Sequence, residues 1–184
     1  MGLNRRLLLQ KKIQPIPDKW VELRGKQKLN LSPLYMNYND AISITFRFIK
    51  ATDDYKSFIF INGYNQYQIS IEYGNFVITY NGVTVIVEDL LPIEGEMYTI
   101  SSNHKGQFSI NDTLVASFTP STSFVGGTVA IGGYSAGNVY YTNMDFYNFK
   151  IATTDFGLIR DYYAKDDITI IDIINNIEVS ISQA

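Results

Sequence analysis

The sequence predicts an all-β protein: an antiparallel two-sheet β-sandwich that follows an extended basic arm. Three observations predict it. Apolar and polar residues alternate at period two through most of the chain beyond Lys19. Turn-forming Asn, Gly and Asp interrupt that alternation at short intervals. No segment keeps a 3.6-residue period over the length of an ordinary helix. At 184 residues with 46% hydrophobic content, the chain is long and apolar enough for one sizeable core.

Residues 1–18 read as the arm, and residues 19–184 as the sandwich. Pro15 and Pro17 favour extended chain, with room for a short helical turn over Asn4–Lys12. Trp20–Leu23 alternates and stops at Gly25, and Leu29–Leu31 is a short strand ended by Pro33. Ile42–Ile49 alternates strictly, so Ile42, Ile44, Phe46 and Phe48 share one face. Phe58–Ile61 is a continuous apolar run, turned by Asn62-Gly63. Tyr67–Tyr73 alternates again, turned at Gly74-Asn75 into Phe76–Tyr80. Asn81-Gly82 then signals a tight hairpin into Val83–Val87, because both central positions of that turn need positive φ.

Met97–Ser101, Phe108–Ile110 and Leu114–Phe118 form the next block, turned at Lys105-Gly106 and Asn111-Asp112. Thr128–Ile131 is a strand ended by Gly132-Gly133, and Ser135–Asn138 is a loop. Asp145–Ile151 offers Phe146, Phe149 and Ile151 for burial. Ile159–Tyr163 fits either a short helical turn or an edge strand. Ile168–Ile174 and Ile177–Ile181 close the chain as a hairpin around Asn175-Asn176. Such a run of short strands is the pattern of a sandwich.

Charge is unevenly divided. Residues 1–28 hold eight Lys/Arg against Asp18 and Glu22, while the remainder holds seven basic and sixteen acidic groups. An arm of this kind suits docking on an acidic neighbour, with Arg5, Arg6, Lys11 and Lys12 as the anchoring residues. An arm solvated by water, or lying on its own acidic body, fits equally. The acidic body argues against nucleic acid as a partner. The chain has no cysteine, which excludes a disulfide scaffold and a Cys-based metal or redox site. No apolar run approaches the roughly 20 residues that span a bilayer. Leu7–Leu9 is too short for a signal-peptide core of about 7–15 residues. No membrane partner and no secretion signal are expected.

Catalysis is not expected. His104 is the only histidine and sits in a turn signal beside Asn103, Lys105 and Gly106, so it reads as a solvated hairpin tip. No serine lies in a Gly-x-Ser-x-Gly elbow. Glycoside hydrolysis needs two carboxylates flanking the scissile bond. Glu94-Gly95-Glu96 is the nearest pair and reads as an exposed turn. Asp53-Asp54, Asp89 and Asp166-Asp167 lack distinctive ligand spacing, so no metal and no cofactor are expected. Glycan binding fits better, since aromatic faces stack on sugar rings and amides bond hydroxyls. Two segments combine these groups: Tyr64, Asn65, Gln66 and Tyr67, and Tyr134, Asn138, Tyr140 and Tyr141. The same tyrosines suit a sandwich edge or a protein interface.

Three segments, taken in order, resemble a known family. They are WVELRGKQKLNLSPL with AISITFRFI (residues 20–34 and 41–49), MYTISSNHKGQFSINDTLVASF (97–118), and the closing block of residues 124–180. That last block runs from an Ile-Gly-Gly strand end through FKI and LIRDY to IDIINNIE. Together they resemble a laminin-G-like, or concanavalin A-like, jelly roll of the kind found in tailed-phage virion proteins and bacterial surface proteins. The resemblance implies the fold; for function it implies little, because this fold hosts lectins, glycanases, adhesins and structural modules. Combined with the basic arm, it leads to the expectation of a non-enzymatic virion component of a tailed phage: a capsid decoration, head-fibre or tail-associated protein. Such a protein would be assembled in the host cytoplasm within a large oligomer, its arm docked on other virion proteins. The alternative is a lectin-like module for host-surface or mucosal glycans.

Overall fold

The computed structural model describes residues 18–31, 34, 36–51, 55–63, 66–121, 124–125, 129–134, 140–153 and 157–183. The anchoring residues Arg5, Arg6, Lys11 and Lys12, the Asn4–Lys12 turn, and Tyr64, Asn65 and Asn138 lie outside them. The described residues form strands and turns, with no helix among them.

In chain order the strands are β1 (Val21–Leu23), β2 (Gln27–Asn30), β3 (Met36–Asn37), β4 (Ala41–Ala51), β5 (Lys56–Asn62), β6 (Tyr67–Glu72), β7 (Asn75–Tyr80), β8 (Val83–Val87) and β9 (Met97–Ser102). They continue with β10 (Gln107–Ile110), β11 (Thr113–Ser117), β12 (Phe124–Val125), β13 (Val129–Ile131), β14 (Gly133–Tyr134), β15 (Tyr140–Thr153), β16 (Gly157–Ala164), β17 (Thr169–Asp172) and β18 (Ile177–Gln183). Antiparallel ladders join them in the order β11-β10-β9-β4-β15-β16-β17-β18-β2-β13-β5-β6-β7-β8. β3 and β12 form a separate ribbon.

The architecture is a β-sandwich in which two sheets are not cleanly separate. β18 pairs with β17 on one side and β2 on the other, so one ladder turns the corner between the halves. β15 adds a second link, a parallel pairing of Tyr141 with Phe58. Strand alternation reports which residues face inward; it does not report which strand closes the edge.

The inward face of β4 is buried as its alternation requires, with Ile44 and Phe46 fully covered. Phe146, Phe149 and Ile151 of β15 meet them from the neighbouring strand. Aromatic rings tie the halves together. Tyr67 lies 5.4, 5.6 and 5.8 Å from the rings of Phe60, Tyr80 and Phe108 in edge-to-face geometry, the arrangement that aromatic quadrupoles favour.

β5 is buried along its whole length. A bulge between Phe58 and Phe60 divides its apolar run. Ile59 and Phe60 join the main core, and Phe58 and Ile61 pack with Ala130 in a second, smaller cluster that Tyr140 covers.

Asn81-Gly82 and Asn111-Asp112 turn their hairpins as expected, Asn81 and Asn111 at φ 49° and 48°. The segment read as a helical turn or edge strand is neither: β16 lies inside the sheet, paired with both β15 and β17. Asp172 explains the close of this region. Its buried carboxylate accepts the amides of Asp161 and Ile174 and a side-chain bond from Asn175, which fixes the β17–β18 turn.

Candidate functional site: an aromatic cleft at the β6–β7 turn

An open cleft of about 490 Å³ lies at one end of the sandwich. Three stretches line it: Phe48, Lys50 and Ala51 from the end of β4; Ile71, Tyr73 and Gly74 from the end of β6 and its turn; and Pro92 and Glu94 from the segment before β9.

The walls are held by specific bonds. Gly95 donates to the Phe48 carbonyl at 2.8 Å, and Phe48 donates back to the Glu96 carbonyl at 3.0 Å. These bonds fasten the Glu94–Glu96 turn to β4. The Tyr98 hydroxyl accepts the Ile93 amide at 2.8 Å and donates to the Leu91 carbonyl at 3.4 Å. Opposite, Lys56 and Glu72 are cross-strand partners whose side chains pair at 2.6 Å. Ser70 donates to the same Glu72 carboxylate at 2.8 Å, and the Lys56 ammonium stands 5.0 Å from the Phe58 ring. That pair aligns the start of β5 with the end of β6. It therefore sets Tyr55, just before β5, against Tyr73, just after β6.

Tyr73 sits where its residue type is disfavoured. Glu72 pairs with Asn75, so Tyr73-Gly74 is a two-residue hairpin turn. Tyr73 has φ 47°; among the described residues the other non-glycine positions at positive φ are Asn81, Asn111, Asp112 and Asn176, types that tolerate it. A bulky side chain there costs about 1–2 kcal/mol. The ring gains little burial in return: Tyr73 is 72% exposed. It stands perpendicular to Tyr55, itself 52% exposed, with centroids 5.2 Å apart. Tyr140 continues the array 6.4 Å from Tyr55 and 6.2 Å from Phe58. Two rings at right angles make a corner: one face can stack on an apolar ring while the other bounds its edge. Lys50 and Glu94 line the cleft with Tyr73 and supply charged groups there.

Of the residues expected to form a ligand site, Tyr140 belongs to this array. Tyr67 does not: its ring is wholly buried, and its hydroxyl meets Ser102 Oγ at 2.8 Å. Burial pushes the Tyr67 hydroxyl pKa far up. Tyr141 is also interior, its ring packed so closely over Gly133 that a Cβ there would fall 2.0 Å from Tyr141 Cδ1. Tyr134 lies on β14, paired with Tyr140. Both interior tyrosines follow from strand register, which carries them inward whatever their polarity. Tyr55 and Tyr73 escaped the sequence reading because Gly74-Asn75 resembles the turn and masks Tyr73-Gly74. The signal was present: a two-residue hairpin closing at Asn75 places a tyrosine where Asn is usual.

His104 is at a turn as expected but is not simply solvated; it is half-buried and Nδ1 donates to the Asn39 carbonyl at 2.9 Å. Glu94 and Glu96 are exposed in their turn. Glu94 is the single carboxylate lining the cleft among the described residues. No group of three His, Asp or Glu side chains among the described residues could hold a metal ion.

No protein-family model and no curated protein sequence matches the chain. Its fold is similar to solved structures. One is a candidate carbohydrate-binding protein from Bacteroides ovatus ATCC 8483, at 10% identity and TM-score 0.67, covering 92% of this chain and 59% of that one. The chain thus spans little more than half of that structure. Another is a heptameric SAP-like pentraxin from Limulus polyphemus, at 14% identity and TM-score 0.51, covering 72% of this chain and 73% of that one. At these identities the likeness establishes the β-sandwich fold.

Proposed function

We propose that this protein is a non-enzymatic glycan-binding module of laminin-G-like type, and that the cleft at the β6–β7 turn seats a sugar ring against Tyr55 and Tyr73. One observation carries the reading. Tyr73 is held at φ 47° yet left 72% exposed, so burial gives little return for its backbone strain and its ring packs only edge-on with exposed Tyr55. A strained backbone beneath an exposed aromatic, at the mouth of a cleft, is what a ligand contact would retain. The fold shared with a candidate carbohydrate-binding protein supports the same reading.

The non-enzymatic part rests on the cleft's acids. Glycoside hydrolysis uses two carboxylates about 5–10 Å apart across the bond. Glu94 is the one carboxylate that lines the cleft among the described residues. The test is a glycan array probed with the wild-type chain and with Tyr55→Ala and Tyr73→Ala variants. Binding to a defined oligosaccharide class that both variants weaken supports the reading. Binding unchanged in both variants, or absent for every glycan, overturns it.

The charge division favours a second reading, which can coexist with the first. Four basic residues, Arg5, Arg6, Lys11 and Lys12, ahead of an acidic body suit an arm that docks the sandwich on a tailed-phage particle. Deleting residues 1–18 should then abolish particle association while leaving glycan binding intact.

A further inference from the structure

β8 and β11 lie at the two ends of the sheet path; they approach each other, yet neither has a second ladder partner among the described residues. Natural edge strands are commonly guarded by charge, proline or a bulge, because an open edge recruits further strands. β11 carries such a device: its ladder with β10 shifts register between Phe108 and Ser109. β8 carries none. Its five residues, Val-Thr-Val-Ile-Val, are uncharged, and its ladder with β7 is unbroken. Val83 and Ile86 are 58% and 55% exposed.

We propose that two copies of the chain pair through β8, antiparallel across a two-fold axis, so that the sheet half ending in β8 continues into its copy. The flanking charges select this partner and this direction. β8 follows Asn81-Gly82 and precedes Glu88-Asp89. Antiparallel self-pairing sets the two acids of one copy beside the uncharged Asn81-Gly82 turn of the other. Parallel pairing sets acids against acids. Antiparallel pairing of β8 with β11 of a second copy sets them beside Asp112, which opens that strand. Like charges held opposite one another are destabilising. The two-fold contact also closes on itself, where a β8-to-β11 contact would propagate. Centred on Val85, it brings Ile86 opposite Thr84 of the second copy on the outer sheet face, so an exposed apolar side chain gains a β-branched neighbour. The dimer presents two aromatic clefts, which raises avidity for a repeating glycan.

Sedimentation equilibrium of the full chain over a concentration series tests this. The expected result is a species of twice the 20.9 kDa chain mass. Ile86→Lys and Thr84→Lys, both on exposed positions of the pairing edge, should each give single chains with unchanged far-UV circular dichroism. Leu114→Lys, on β11, should remain a dimer. Single-chain mass for the wild type at every concentration overturns the proposal. So does a dimer that survives both β8 variants, one that Leu114→Lys dissolves, or open-ended polymer.

Discussion

Asn in place of Tyr73 would keep the Tyr73-Gly74 turn and remove the ring, so it separates strain from ligand contact. Asn tolerates the left-handed region far better than Tyr, which relieves part of the roughly 1–2 kcal/mol that a bulky residue costs there. Against that stands the edge contact with Tyr55, at most about 1.5 kcal/mol and smaller for exposed rings. Little buried area is lost, since Tyr73 is 72% exposed. The two terms nearly cancel, and the stability of Tyr73→Asn should lie within about 1 kcal/mol of wild type, a melting shift of about 2–4 °C at most for a chain of this size. Glycan affinity should move differently. Loss of one aromatic face, worth about 0.5–1.5 kcal/mol, corresponds to a roughly two- to tenfold weaker Kd. Calorimetry gives both numbers, as a thermal scan and as a titration with an oligosaccharide found on the array. A melting temperature lowered well beyond that range would show that Tyr73 is structural. An unchanged Kd would show that its ring does not touch the glycan.

Three other perturbations follow from the packing. Lys56→Met strands a Glu72 carboxylate whose side chain is only 22% exposed and should cost about 1–3 kcal/mol by urea denaturation; adding Glu72→Gln should recover part of it in a double-mutant cycle. Among the described residues neither amide atom of Asn62 meets a hydrogen-bond partner, although the residue is wholly buried, so Asn62→Leu should leave stability unchanged or raise it, where a satisfied polar site would lose about 1–3 kcal/mol. Burial raises the hydroxyl pKa of Tyr67, Tyr80 and Tyr162 above the ordinary 10.0 in the folded chain. Above that pH the unfolded chain sheds protons the folded chain keeps, so stability should hold below about pH 10 and fall as pH rises past it, with tyrosinate absorbance from these rings appearing only on unfolding.

Much of the fold was legible because its signals are local. The alternation of Ile42, Ile44, Phe46 and Phe48 names a buried face without reference to any other strand, and all four side chains are buried. Asn81-Gly82 and Asn111-Asp112 announce their turns through backbone preference alone. Strand pairing is different in kind. That β18 joins β17 to β2 depends on residues some 150 positions apart, and no periodicity encodes it. The site was less legible for the same reason. Lys50, Tyr73 and Glu94 meet in the cleft, and Tyr55 and Tyr140 gather beside Tyr73, only through the registers of β4, β5, β6 and β15. Composition pointed to tyrosine as the binding residue type. It could not separate Tyr67 and Tyr141, which register turns inward, from Tyr55 and Tyr73, which the ends of β5 and β6 hold outward.

If a glycan stacks on Tyr73 and Tyr55 at the cleft mouth, amide chemical-shift mapping on the isotope-labelled chain, titrated with an oligosaccharide selected on the array, will show it. The expected result is saturable shifts grouped at Lys50, Ala51, Tyr55, Tyr73, Gly74 and Glu94, lost in the Tyr73→Ala variant. Shifts grouped anywhere else on the sandwich, or a full set of shifts that survives Tyr73→Ala, would contradict it.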